Sequence, residues 1–236
     1  MLFTYNFASP VRRNDLRVNR ILEGLPPAEL DDVVKGATPI SLAAGQTLLR
    51  TGEPYLAVTF PISGIISAIG TLKDGQQHEV TAIGPEGLVG LGTILGVPIA
   101  RTWFVAPVPT TAYQLPIHVF VRMFDTSTVL RTHTLIHAGR LLASIARSAS
   151  CNRFHSHRER LARWLFVTMK KSGQTSLTLT HDIVAQMVGG PRHTVSAELA
   201  ELRAIGAIDY HRGEITILDE GKVRAAACDC LPQDLV

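Results

Sequence analysis

Three groups of side chains in this sequence are spaced for chemistry. Cysteines stand at 151, 228 and 230, with His155 and His157 just behind the first. Thiols grouped in this way either sense redox state or offer soft ligands to a metal. A lone arginine, Arg101, follows the glycine-rich stretch EGLVGLGTILGVPIARTW (86–103) and precedes a hydroxyl, Thr102. Backbone amides uncovered by glycine, together with a guanidinium, are what an anion pocket requires. Arg192, His193, Thr194 and Ser196 follow Gly189, Gly190 and Pro191. Donors of this kind at the start of a helix suit base edges and phosphates.

Catalysis is the weaker expectation. Between residues 40 and 120 the histidines are His78 and His118, and His78 with Glu79 falls short of the ligand set of a metal oxygenase. A cupin-like metalloenzyme is therefore only a remote alternative, and the chain is expected not to be an enzyme. Three cysteines form no even disulfide framework, which fits a reducing cytosol. A C-x-C pair with a distant partner is not a standard zinc spacing. No metal site and no cofactor are assigned, and thiol redox or metal control through Cys151, Cys228 and Cys230 is held as an alternative.

The elements that must position these residues can be read from punctuation and periodicity. With 236 residues, 46% of them hydrophobic, the chain can bury one large core or two modest ones. Its net charge of +3 decides little. Residues 102–121 carry no full charge, but Pro107, Pro109 and Pro116 break any spanning helix. That run reads as buried strands, no membrane association is expected, and the N-terminal stretch lacks the order of a secretory signal. A cytoplasmic location is expected.

After a basic lead-in (1–20), Pro26 and Pro27 open a short helix. From Pro39 to about Phe120, short apolar runs broken by Gly, Pro and Asp-Gly predict an antiparallel barrel or jelly roll. A run without proline, STVLRTHTLIHAGRLLASIARSAS, predicts a long helix over 125–150. Leu135, Leu142 and Ala149 recur at seven, with Ala138 and Ile145 between them, a seam suited to self-association or to packing on the barrel. His133 and His137 share a face of the same helix, the spacing of polar helix residues or of two metal ligands. A basic helix follows Asn152, with Leu161, Trp164, Leu165 and Thr168 inward.

Residues 177–208 read as two short helices about Gly189-Gly190. Thr180 is the N-cap of the first, and Pro191 opens a second whose Val195, Leu199 and Leu202 face inward. Two alternating strands joined at Arg212-Gly213 then form a hairpin. The pattern is that of a winged helix-turn-helix.

In this order, a barrel with a glycine-rich loop and an arginine, a long helix and a winged helix-turn-helix resemble the Crp/Fnr family of bacterial transcription regulators. GEP near residue 52, ISG at 62, GPEGLVG at 84, CNR at 151 and RGEITILD at 212 fall in family order. The resemblance implies an α+β fold: an N-terminal antiparallel β jelly roll or barrel of the cyclic-nucleotide-binding type (21–124), a dimerisation helix (125–150) and a C-terminal winged helix-turn-helix (151–236). It also implies a homodimer on a palindromic double-stranded DNA operator, with RNA polymerase as a partner if the protein activates.

By the same resemblance, Arg192 matches a base-reading arginine and Thr194 a phosphate-contacting hydroxyl. His193 and Ala197 depart from the family's usual glutamate and arginine. Arg158 and Arg160 would add backbone attraction; Arg153 would do so too, or would brace the joint between domains. In the barrel loop, Gly90, Arg101 and Thr102 match phosphate-holding positions, but Leu91 stands where cyclic-nucleotide binders have a ribose-holding glutamate. Cyclic AMP is disfavoured. Another small anionic effector, or an empty pocket with Arg101 paired internally, stays open.

Overall fold

A computed structural model describes residues 11–232. In chain order its elements are helices α1 (Arg13–Leu16), α2 (Arg20–Glu23) and α3 (Pro27–Gly36); strands β1 (Thr38–Leu42), β2 (Gln46–Leu49), β3 (Ala57–Ser63), β4 (Ile66–Thr71), β5 (Gln77–Ile83), β6 (Trp103–Ala106) and β7 (Thr110–Pro116); helices α4 (Ile117–Thr126), α5 (Thr128–Phe154) and α6 (His157–Ser172); strand β8 (Ser176–Thr178); helices α7 (His181–Val188) and α8 (Arg192–Ala204); strands β9 (Ile208–His211) and β10 (Glu214–Ile217); and helix α9 (Glu220–Ala226). The described residues form two compact units, 11–66 with 83–141, and 67–82 with 142–232. The first ten residues of the lead-in and the last four of the C-terminal segment lie outside the described residues.

In the first unit, β7 lies between β1 and β3, antiparallel to both, with Ile40 opposite Ala112 and Phe60 opposite Tyr113. β2 pairs with β6, also antiparallel. The apolar residues of the short strands meet those of the N-terminal helices in one core, in which Leu16, Leu22, Leu30, Val58, Phe60, Leu115 and Phe120 are fully buried. Burial of such side chains is worth about 1.5–3 kcal/mol each. Pro26 and Pro27 open α3 as expected.

The run 102–121, read as buried strands, holds β6 and β7 but is corrected at its end. β7 ends at Pro116, and α4 begins with Ile117. The fixed φ of proline suits the start of a helix, so Pro116 starts a helix as well as stopping a strand. Ser127 then breaks α4 from α5: its backbone is extended, and its hydroxyl caps α5 by accepting from Leu130 N at 3.0 Å. The long helix consequently starts at Thr128 and continues through Cys151 to Phe154, because the next cap is Ser156.

α5 has two faces. Leu130, Thr134, His137, Ser148 and Cys151 are buried, while Leu135, Ile136 and Leu142 are 50, 47 and 69% exposed. Of the expected seam, Leu135, Leu142 and Ala149 are exposed; Ala138 and Ile145 are half-buried, with Ala138 against the chain's own core. His133 and His137 are packing residues in the first unit. His133 Nδ1 lies 3.2 Å from Ile21 O, and His137 Nε2 lies 3.2 Å from both N and O of Leu88. Each ring covers a glycine: a Cβ on Gly24 would come within 2.6 Å of His133, and one on Gly87 within 2.1 Å of His137.

In the second unit, β10 lies between β8 and β9. α6 presents Leu161, Trp164, Leu165 and Thr168 inward, as its spacing predicts. The capping box of Ser156 and Glu159 fixes its first turn. The hairpin of β4 and β5 belongs to this unit and packs on its helices. Trp164 Nε1 donates to a Glu79 carboxylate oxygen (3.1 Å) that also accepts from Ser67 Oγ (2.5 Å), and Gln186 Nε2 donates to Gln77 Oε1 (2.6 Å).

Candidate nucleic-acid interface and effector loop

The two helices expected about Gly189-Gly190 are α7 and α8. Thr180 caps α7 by accepting from Ile183 N at 3.2 Å. The turn needs its glycines, since φ is +71° at Gly189 and +145° at Gly190. Pro191 is the N-cap of α8, and Val195, Leu199 and Leu202 anchor that helix in the core. Its first residues, Arg192 and His193, are thereby left exposed, with Thr194 and Ser196 half-buried beside them.

Arg192 Nε stands 3.6 Å from Asp182 Oδ1, with both side chains about two-thirds exposed. Such a surface pair holds its partners weakly, so the guanidinium can exchange Asp182 for another acceptor. Ser196 is differently placed: its hydroxyl donates to Arg192 O (3.1 Å) and lies 2.7 Å from His181 Nδ1, whose ring is 4.6 Å from that of Tyr210. Its first duty is thus to hold α7, α8 and β9 together. Arg212 (φ +49°) and Gly213 (φ +82°) both take positive φ at the tip of the wing, the tight hairpin turn expected there.

The basic residues of the α5–α6 joint divide. Arg153 is exposed, and its guanidinium lies over the Phe154 ring. Arg158 pairs with Glu201 at 3.2 Å. Arg160 braces the joint, since its Nη1 donates to Val188 O (3.3 Å) at the end of α7 and to Asn152 Oδ1 (3.2 Å).

Sequence reasoning missed the central brace. His157, at the start of α6, places Nδ1 2.5 Å from Glu198 Oε2 on α8 and Nε2 2.8 Å from Gly189 O in the turn. The ring thus bridges a carboxylate on α8 and a backbone carbonyl in the turn. No local spacing announces this contact, because its members lie 32 and 41 residues apart.

The four effector-loop residues differ in exposure within the first unit. Gly90 takes φ +118° and leads into a short 3-10 turn, while Leu91 is buried among the core residues. Arg101 is exposed and has no hydrogen-bond or ion-pair partner among the described residues; Thr102 is half-buried. The internal pairing left open for Arg101 is thus not seen. A cleft of about 760 Å³ in the same unit is lined by residues of β1, β2 and β3 and of the β2–β3 connection, among them Gln46, Arg50, Glu53 and Tyr55.

The cysteines converge. Cys151 Sγ lies 3.4 Å from Cys228 Sγ, and Cys230 Sγ lies 3.5 Å from His155 Nδ1. The hydrogen bond from Cys228 holds the Cys151 thiol below its ordinary pKa, and donating that bond, together with burial, pushes Cys228 up. His157, occupied by Glu198 and Gly189, is no part of this group.

Residues 39–127 match the cyclic nucleotide-binding domain family, and residues 159–226 match the Crp-like helix-turn-helix domain family. A CRP-like cAMP-activated global transcriptional regulator of Mycobacterium tuberculosis is 24% identical over 88% of this chain and 96% of its own length. Among solved structures, a regulator of the Crp/Fnr family from Eubacterium rectale superposes with a TM-score of 0.69 at 16% identity, covering 89% of this chain and 98% of that one. The c-di-GMP responsive global regulator CLP of Xanthomonas campestris does so with 0.66 at 16% identity, covering 81% and 99%. No helix among the described residues is long and apolar enough to cross a membrane.

Proposed function

From membership of the chain in the Crp/Fnr family of transcription regulators, we propose that it binds a two-fold symmetric operator as a homodimer, inserting α8 into the major groove. The carrying observation is the start of α8: Arg192 and His193 stand exposed at its first turn, while its inner face is fixed by His157 and the core. Arg192 reads a base edge, as a guanidinium can donate twice to guanine O6 and N7. Thr194, Arg153 and Arg212 contact phosphate; Thr180 and Ser196 hold α7 and α8, the second of which presents Thr194. The exposed Leu135, Leu142 and Ala149 on α5 support association with a second copy. If the protein activates, RNA polymerase is a further partner.

Cyclic AMP is disfavoured as the signal. Leu91 offers no acceptor to a ribose hydroxyl, and its side chain is committed to the core. The unmet hydroxyl would cost about 1–3 kcal/mol. The relatives named above are described as responding to different cyclic nucleotides, so the effector has to be argued from this chain's own residues. A small anion at the exposed Arg101 and the half-buried Thr102 is the effector class these residues suit.

Selection of genomic DNA fragments by the purified protein tests the proposal. The expected result is enrichment of fragments sharing a palindrome whose half-sites lie about one helical turn, roughly 10 bp, apart. Recovery of no fragment above random DNA, with and without cell extract as effector source, would sink it.

A further inference from the structure

All three cysteines of the chain meet at one place. Cys151 lies in the last turn of α5, His155 is the first residue beyond that helix, and Cys228 and Cys230 follow α9. The three sulfurs and one imidazole nitrogen all lie within 4.8 Å of one another. A tetrahedral zinc ion with Zn–S of about 2.3 Å and Zn–N of about 2.0–2.1 Å would hold its donors about 3.5–3.8 Å apart. The Cys151–Cys228 and Cys230–His155 separations, 3.4 and 3.5 Å, are already near that scale.

The surroundings fit the same chemistry. His155 Nε2 lies 3.3 Å from Asp229 Oδ1, the outer carboxylate that orients a ligating histidine. Three thiolates and a neutral imidazole around a divalent cation carry one net negative charge. Two of the sulfurs are buried and the other two ligands are half-buried, so the site is both enclosed and reachable.

We propose that Cys151, His155, Cys228 and Cys230 form a four-ligand site for a zinc-class divalent cation, which staples the segment after α9 to the joint between α5 and α6. Binding displaces the thiol protons to solvent and changes no oxidation state. With four protein ligands the site is closed, so its role is structural or sensory and it holds no reacting water. The stapled joint includes Ser156, the cap of α6, and His157, which holds α8. Metal occupancy thereby stiffens the element that carries the DNA-facing helix. The site itself does not depend on the operator reading.

The test uses the full chain, reduced and stripped by a chelator, then titrated with Co²⁺ alone and Zn²⁺ alone. One Co²⁺ per chain should bind, with the visible bands of a tetrahedral thiolate site, and Zn²⁺ should displace it and raise the melting temperature. Cys230→Ser and His155→Ala, at half-buried positions where folding should survive, should each weaken binding by more than about 100-fold, and Asp229→Asn by about 10-fold. Absence of the cobalt bands, or bands unchanged in Cys230→Ser, would overturn the proposal. So would recovery of a Cys151–Cys228 disulfide from anaerobically prepared protein, because that pair would then be a redox switch.

Discussion

The ring of His157 is held between the Glu198 carboxylate, 2.5 Å from Nδ1, and the Gly189 carbonyl, 2.8 Å from Nε2. One side chain at the start of α6 thus fixes both the recognition helix and the turn before it. The contact is tight on every side: a Cβ on Gly190 would lie 2.4 Å from His157 Nε2.

Replacement His157→Ala should therefore destabilise the C-terminal unit by about 1–3 kcal/mol, because it leaves a half-buried carboxylate and a carbonyl without their partner. Binding to operator and to random DNA should weaken together, since the helix loses its orientation and no base contact is removed. Thermal unfolding and fluorescence anisotropy measure the two effects. A variant with unchanged melting and unchanged affinity would remove His157 from this role.

Arg192→Ala should behave differently. The pair with Asp182 is exposed and contributes little to folding, so melting should hardly move. Discrimination at one base pair of each half-site should fall by about 1–3 kcal/mol, whereas Arg212→Ala should weaken all sequences alike and reduce the salt slope by about one. Equal losses on specific and random DNA for Arg192→Ala would exclude it as a base reader.

Position 91 carries a prediction about the effector loop. Leu91→Ala should cost about 2–4 kcal/mol in the stability of the N-terminal unit, because the cavity opens in its core. Leu91→Glu should be worse, since it buries an unpaired charge. Calorimetry with cyclic AMP should show no gain in affinity for Leu91→Glu. Arg101→Ala, at an exposed position, should leave unfolding unchanged and alter only anion binding.

Leu142 is 69% exposed on α5. Leu142→Asp should therefore leave the unfolding of each chain nearly untouched while weakening self-association by at least about 2 kcal/mol, or some thirtyfold in the dissociation constant. Sedimentation equilibrium reads both species. An unchanged dimer would place the association surface elsewhere.

Legibility from sequence followed the range of the interaction. The turn at Gly189-Gly190, the cap at Thr180, the helix-opening Pro27 and Pro191 and the hairpin at Arg212-Gly213 each express a local backbone requirement, so a few adjacent residues reveal them. The inward face of α6 was equally plain from its spacing. Contacts that join distant segments left no such mark. Nothing beside Leu91 shows that its side chain completes a core, and nothing near Ser156 shows that the next residue will hold a helix 41 positions on. C-x-C at 228 and 230 looked unlike a ligand set because its partners, Cys151 and His155, come 77 and 75 residues earlier, on the side of the joint that only folding brings near. Pro116 misled in another way: read as a breaker, it also starts α4.

The histidine-covered glycines of the first unit have a further consequence. A side chain at Gly87 would meet the His137 ring, and one at Gly24 that of His133, so the facing ring must shift or go before either glycine changes. Each histidine can shrink first without collision, which opens room for its glycine to vary afterwards. A library randomised at both members of a pair should return viable chains with a side chain at 87 or 24 mostly where the facing ring has gone.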